Sequence, residues 1–389
     1  MKYDWDTPVA RLGTDCYKWD WNHREGDLPM WVADMDFKAA PAITEEIRKR
    51  AEHGVYGYTM VPENWYSAYL DWWRDRHGYA MEKAWIMYVS GVIPAISSTI
   101  RALTAPGRKV IVQAPVYNEF FSCITNNGCQ IAENQLVYEN GGYRMDFDDL
   151  EEKASDPETD IMILCNPHNP VGKIWDKETL IKIGDICARN NVTVISDEIH
   201  CDIVTPGCSY TPFAAASETN RRISVMVMAA TKAFNIAGIN SACISVADGE
   251  LNKKIRFAID RDEIAHFSVF SGVAATAFRE CGDWLDEMCE YISQNRKYAA
   301  EFIKNELPEL HLIDGDATYL LWLDISSLGI SSKALANHLR DTTGLFVTPG
   351  SRYGKGGEGF LRINVGCPRS LVQDGLNRLK TGIRLRSEP

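Results

Sequence analysis

Ile223-Ser-Val-Met-Val-Met228, running on into Ala229-Ala-Thr-Lys232-Ala-Phe-Asn-Ile-Ala-Gly238, is the stretch that decides the fold. A short, nearly unbroken apolar run rich in β-branched residues suits a parallel strand buried on both faces. It ends just before a lysine. Burying an ammonium costs several kcal/mol unless something offsets it, and one use of such a lysine is chemical: once desolvated, its pKa falls and it can form a Schiff base. A lysine at a strand end also fits a solvated edge position, so the choice between the two readings rests on what the neighbouring strand ends carry.

Working outward, the same kind of run recurs at Trp85-Ile-Met-Tyr-Val-Ser90, Lys109-Val-Ile-Val-Gln-Ala114, Asp160-Ile-Met-Ile-Leu-Cys165, Asn191-Val-Thr-Val-Ile-Ser196 and Ser241-Ala-Cys-Ile-Ser-Val246. Between these strands lie helical patterns at 93–104, 116–125, 177–190 and 266–280. The alternation predicts an α/β domain with a mostly parallel sheet between helices over residues 44–285. Residues 1–43 are rich in Trp, Asp and Pro with little periodicity. Residues 286–389 combine a long helix through Glu306, strands at His311-Leu-Ile313, Thr318–Asp324, Leu345–Thr348 and Gly359–Asn364, a helix near 331–343 and a closing helix after Arg369. Both ends together predict a smaller α+β domain.

The 389 residues exceed one typical domain, and 45% hydrophobic with 24% charged residues is an ordinary globular composition. A net charge of -12 opposes nucleic-acid or anionic-membrane partners, which call for a basic face. No secretory signal is visible after Met1, and no uncharged apolar run approaches the roughly 20 residues that span a bilayer. Eleven cysteines without C-x-x-C pairs, several inside apolar runs (Cys165, Cys187, Cys243), read as reduced thiols of a cytoplasmic protein. The eight histidines show no metal-ligand spacing, and no metal site is expected.

Ligands of α/β sheets bind beyond the carboxyl ends of the strands. Ser90-Gly91-Val92-Ile93-Pro94 is a strand–Gly–helix junction, whose free N–H groups and helix dipole suit a phosphate, although one glycine before a helix is also an ordinary turn. Gln113-Ala-Pro-Val-Tyr117 offers an aromatic that either stacks on a planar ring or packs in the core. Asn166-Pro-His-Asn169-Pro-Val-Gly172 forces a rigid turn that projects Asn169. Ser196-Asp197-Glu198-Ile-His200 ends an apolar strand in acids, which need a cationic or N–H partner. A phosphate cradle, a stacking ring, an amide donor, a buried acid and a Schiff-base lysine together describe a pyridoxal 5′-phosphate (PLP) pocket.

With these motifs the chain resembles the fold-type I PLP enzymes of the aspartate aminotransferase superfamily. Within them it resembles the C–S lyase branch, the cystathionine β-lyases of the MalY/PatB kind. The branch markers are Leu28-Pro-Met-Trp-Val-Ala-Asp-Met-Asp-Phe37, Val55-Tyr-Gly-Tyr-Thr59, Ser196–His200, Thr231-Lys-Ala-Phe-Asn235 and Gly359-Phe-Leu-Arg-Ile-Asn-Val-Gly-Cys-Pro-Arg369, spread nearly end to end. The resemblance implies that Lys232 carries the cofactor and shuttles the Cα proton, and that Asp197 pairs with the pyridinium nitrogen. It implies that Asn169 donates to the phenolic oxygen with His200 nearby, and that Tyr117 stacks on the ring. It gives the phosphate to the amides of Val92 and Ile93 and to Thr231, with Tyr58 reaching the phosphate region of a neighbouring subunit. A homodimer is thereby implied. Arg362 is implied to grip the substrate α-carboxylate, together with Asn169.

Two positions depart from the wider superfamily: Ala229 stands where many relatives have a phosphate-binding serine, and Asn240 where aminotransferases carry an arginine. The missing arginine favours the lyase branch, which implies β-elimination on cystathionine or a related L-cysteine conjugate to pyruvate, ammonia and a thiol. An aminotransferase shares the early steps and is the alternative. A PLP-binding regulatory protein is a third, although no extra basic N-terminal segment accompanies the pocket. The substrate side chain is expected to meet Trp and Tyr residues around 56–66 and the loop near 351–357.

Overall fold

The computed structural model describes residues 1–387. Its centre is a seven-stranded sheet of β1 (Ile86–Val89), β2 (Lys109–Val112), β3 (Gln130–Glu133), β4 (Thr159–Cys165), β5 (Thr193–Asp197), β6 (Ser224–Met228) and β7 (Ala242–Ser245). The spatial order is β1-β7-β6-β5-β4-β2-β3. β2, β3, β4, β5 and β6 pair in parallel, and β7 runs antiparallel to both of its neighbours. All five residues of β6 are buried, as a strand covered on both faces requires.

The sheet is mostly parallel, as the alternation of runs predicted. β3 was not among the expected strands, and the reason is physical. It is an edge strand, Gln130 is exposed and the other three residues are only half-buried, so it carries no apolar run. The helix expected over 266–280 begins only at Val273. Before it, Ser271 N–H donates to the Ser268 carbonyl and the Ser271 hydroxyl to the Asn240 carbonyl at 2.7 Å, so this segment is used as a tether to the loop after Lys232. The helix Glu63–His77 turns Trp65, Tyr69, Trp72 and Trp73 inward at helical spacing onto Phe234, Phe278 and Trp284.

A second sheet holds β8 (His311–Leu312), β9 (Leu320–Asp324), β10 (Thr348–Pro349) and β11 (Phe360–Asn364) in the order β8-β9-β11-β10, all antiparallel. The helices Gly282–Glu306, Ser332–Thr343 and Arg369–Ser387 share its apolar core. Leu28 and Met30 enter that same core, and Leu28–Pro29 pairs in parallel with Leu345–Phe346. The approach is close: a Cβ on Gly375 would collide with Met30 Sδ. Trp5, Met35 and Phe37 pack instead with Trp284 and Tyr291, so the N-terminal segment ties two cores together. Its polar anchor is a buried ion cluster. Lys18 Nζ lies 2.6 Å from Asp36, Arg11 reaches Asp36 and Asp34 at 2.7 Å each, and Trp19 Nε1 donates to Asp36.

Candidate active site

Beyond the carboxyl ends of β4, β5 and β6 lies a cavity of about 380 Å³. After β6 the chain makes a tight turn, with Phe234 N–H on the Ala230 carbonyl and Ile236 N–H on that of Thr231. Asn235 sits at φ +54°, a left-handed conformation asparagine tolerates. Its side chain accepts from Met35 N–H at 3.0 Å and donates to the carbonyls of Met35 and Phe37. The turn that carries the lysine therefore also clamps the N-terminal segment across the cavity. Asn364 completes the clamp by donating to the Val32 and Asp34 carbonyls at 2.6 Å each.

Lys232 Nζ projects into the cavity and donates to the Ala33 carbonyl at 2.5 Å. Enclosure by the protein pushes its pKa down to about 8; Asp34 opposes this fall, Arg362 adds to it, and Asp197 opposes it more weakly. At the end of β5, burial pushes Asp197 up to about 7, with the Ile199 N–H and Lys232 pulling the other way. The next carboxyl, Glu198, points elsewhere: it accepts from Ser196 Oγ at 2.7 Å, Phe213 N–H at 2.9 Å and the Tyr210 hydroxyl. Burial pushes His200 down to about 3, helped by Lys232 and Arg362, so its imidazole is neutral, and its buried Nδ1 has no partner among the described residues.

The turn after β4 is held by Gly172 at φ +75°, where a Cβ would meet the Ala317 carbonyl at 3.1 Å. It presents Asn169, whose Oδ1 accepts from Arg362 at 3.3 Å, leaving the amide NH2 as the free donor. Arg362, on β11, is buried. It also donates to the Trp31 carbonyl at 2.7 Å and lies 5.1 Å over the Tyr353 ring, while its Nε has no partner among the described residues.

On the remaining wall, Gly91 precedes the twelve-residue helix Val92–Leu103. The first N–H groups of a helix have no intrahelical acceptor, so those of Val92 and Ile93 are open toward the cavity they line. Ser90, Thr231, Asn240 and Tyr117 line it with them.

The cavity thus brings together Val92, Ile93, Tyr117, Asn169, Asp197, His200, Thr231, Lys232 and Arg362. Tyr58 is not among its lining residues; its side chain is fully exposed. Of the residues expected to meet the substrate side chain, Trp65 is buried in the core away from the cavity, whereas Arg352 and Tyr353 of the 351–357 loop do line it. Sequence reasoning missed Tyr17, Trp31, Asn118 and Glu119. Glu119 had a signal, being two residues beyond Tyr117 at the start of the helix Glu119–Asn126. Elsewhere His77, Cys201 and Asp202 form a trio of metal-ligating types. Asp202 already accepts from Trp72 Nε1 and the His77 ring and has Arg76 at 3.6 Å, which makes the trio a closed ion-pair network.

The family model for aminotransferase class I and II matches residues 28–379, most of the chain. The chain belongs to this family. It is 40% identical to cystathionine beta-lyase PatB of Bacillus subtilis (strain 168), over 98% of this chain and all of that one. Two solved structures are similar along the whole length. Cystalysin from Treponema denticola, which contains a pyridoxal 5′-phosphate cofactor, superposes with a TM-score of 0.95 at 32% identity, covering 99% of this chain and 100% of its own. The PLP-bound C-S lyase from Staphylococcus hominis gives 0.92 at 28% identity, with 98% of each chain covered.

The family is PLP-dependent, and the residues present fit that group. Among the described residues Asp197 accepts one hydrogen bond, from the Ile199 N–H, and forms no ion pair, so this desolvated carboxyl is suited to pair with a pyridinium. The N-terminus of the helix Val92–Leu103 suits an anion, and the depressed Lys232 amine suits attachment to an aldehyde. Three of the buried polar atoms that find no partner among the described residues, Arg362 Nε, His200 Nδ1 and Ser241 Oγ, belong to side chains that line this cavity.

Proposed function

We propose that the chain is a PLP-dependent C–S β-lyase that cleaves cystathionine or related L-cysteine conjugates to pyruvate, ammonia and a thiol. The observation that carries this reading is the placement of an amine depressed to about 8 between a buried carboxylate and a buried guanidinium, in a family member similar end to end to a cystathionine beta-lyase.

When bound, the cofactor supplies an electron sink that lets an amino acid lose its Cα proton and then its Cβ substituent. The side chains supply the rest. Neutral Lys232 would hold the cofactor through Nζ and, when Nζ is free, would take the substrate Cα proton there. Asp197 would pair with the ring nitrogen and keep it protonated, Asn169 Nδ2 would donate to the phenolic oxygen, and neutral His200 would serve near it. Tyr117 would stack on the ring, and Val92, Ile93 and Thr231 would hold the phosphate. Arg362 takes the α-carboxylate in its fork, with Asn169 fixing its orientation. The Cβ–S electron pair leaves on sulfur as thiolate, and water hydrolyses the unsaturated amino acid left behind to pyruvate and ammonia.

The reading extends to assembly. A homodimer would let the exposed Tyr58 reach the phosphate site of the neighbouring subunit. Residues 44–285 would form the cofactor domain, and residues 1–43 and 286–389 the smaller one. All eleven cysteines are unpaired, which fits the reducing cytoplasm.

The deciding experiment incubates the PLP-loaded protein with L-cystathionine and no keto acid. Pyruvate and thiol in equal amounts are expected. Product formation only when a keto acid is added would assign an aminotransferase instead.

A further inference from the structure

Lys232, Asp197 and Arg362 account for the amino-acid end of a conjugate, but the mouth of the cavity carries two charges they leave unused. Glu119 is half-buried on the first turn of the helix Glu119–Asn126, and its one hydrogen bond is from the Asn118 amide at 2.7 Å. Arg352 is exposed on the short turn Gly350–Tyr353. Both line the cavity, and neither forms an ion pair with any described residue.

The two segments are locked side by side. Val116 N–H donates to the Tyr353 carbonyl at 2.9 Å, and Gly354 lies so close to the start of that helix that a Cβ would meet the Phe121 ring at 2.7 Å and the Ala114 Cβ at 3.2 Å. Depth follows from the neighbours. Tyr353 is buried under the Arg362 guanidinium, whereas Arg352, one residue earlier, stands at the surface. The arrangement is an inner site for one amino-acid head and, outward of it, an unpaired anion beside an unpaired cation.

We propose that Glu119 and Arg352 form a distal subsite that reads the second α-amino-acid head of a bis-amino-acid thioether, Glu119 taking its ammonium and Arg352 its carboxylate. This rests on the lyase reading for the inner site and adds the class of conjugate: zwitterionic leaving groups over plain S-alkyl ones. Both residues keep their water contacts when the leaving group is small, so small conjugates meet no penalty. A zwitterionic head gains two charge-assisted hydrogen bonds, each worth about tenfold at a partly exposed site.

The test uses the holoenzyme and three substrates: L-cystathionine, S-(3-carboxypropyl)-L-cysteine, which lacks the distal amine, and S-(3-aminopropyl)-L-cysteine, which lacks the distal carboxylate. Arg352→Met should lower kcat/KM about tenfold for the first two relative to the third. Glu119→Gln should lower it for the first and third relative to the second. A uniform change across the three substrates, or none, in both variants overturns the subsite. Dissociation constants read from the cofactor absorbance should follow the same crossed pattern. They decide the matter even if no pyruvate forms, an outcome that would remove the lyase reading while leaving the subsite to stand or fall on binding.

Discussion

Lys232 Nζ and the Tyr319 hydroxyl donate to one and the same acceptor, the Ala33 carbonyl, at 2.5 and 3.0 Å. The reactive amine is thus held against a backbone atom of the N-terminal segment, in a desolvated place where its pKa is about 8.

Attachment of the cofactor needs the free amine. In apo-protein titrated with PLP, the rate of attachment should therefore rise about tenfold per pH unit below 8 and level off above it. The rise of the cofactor's characteristic absorbance measures this. Lys232→Ala should retain the fold and show neither the attached-cofactor absorbance nor pyruvate release. A rate that is flat from pH 6 to 9 would contradict the depressed amine.

Asp197 gives the opposite sign of pH dependence in stability. Its pKa is raised to about 7 in the folded apo-protein from an ordinary value of 3.8, so between these values the native state holds a proton that the unfolded chain has lost. Stability from this group is full below about pH 4 and declines as pH rises through 7, by an upper bound on the order of 4 kcal/mol. Asp197→Asn should remove that loss: the apo-variant should melt several degrees above the apo wild type at pH 8 and close to it at pH 4. The same variant should bind PLP poorly, because its amide cannot pair with a pyridinium.

The parts of this site that were legible in the sequence share one property: they are side chains placed by local patterns. Lys232, Asp197 and Asn169 lie at or just beyond the ends of continuous apolar runs, and the combination of several such strand ends, with the Pro- and Gly-bounded turn around Asn169, singles them out. The N-terminal clamp was not legible, because Trp31, Val32, Ala33 and Asp34 act through their carbonyls, which every residue possesses. The loop near 351–357 was expected at the substrate, but within it Arg352 was not singled out, and Glu119 was not expected at all. A charged residue on a helix start or an exposed turn looks the same whether it faces solvent or a cavity. The edge strand Gln130–Glu133 lacks the burial that writes an apolar run, so only its pairing with Lys109–Val112 reveals it.

Arg362 is held by Asn169 Oδ1, the Trp31 carbonyl and the Tyr353 ring, with its Nε left for a ligand. A lysine keeps the charge but loses the planar fork. Arg362→Lys should cost about 100-fold in kcat/KM, carried mainly by KM, since the α-carboxylate is gripped before and during the reaction. Steady-state kinetics on cystathionine check this, and a loss confined to kcat would contradict a carboxylate role.

The clamp has its own support in the buried ion cluster. Lys18 is fully buried and lies 2.6 Å from Asp36, which Arg11 and Trp19 also contact. Removing one partner leaves a buried charge short of its counter-ion, so Lys18→Met should destabilise by about 3 kcal/mol. Lys18→Met combined with Asp36→Leu should cost less than the two single losses added together. Thermal melts of the four proteins provide the cycle, and strict additivity would show that the contact carries no coupling.

Tyr58 is fully exposed, and Val55, Tyr56 and Met60 around it are exposed as well, an apolar surface that a lone subunit would leave in water. The proposed homodimer predicts a solution mass about twice the 43.7 kDa of the chain, measurable by light scattering. If Tyr58 serves the neighbouring site, Tyr58→Phe should weaken PLP binding about tenfold, the loss expected for one hydrogen bond to a charged group. A mixing experiment separates service to the partner from service within the subunit. Dimers with Lys232→Ala in one subunit and Tyr58→Phe in the other contain one site with both lesions and one with neither, provided Tyr58 acts across the interface. Refolded mixtures should then recover a fraction of sites with wild-type PLP affinity and activity. If Tyr58 acts within its own subunit, every site keeps a lesion and no such fraction appears.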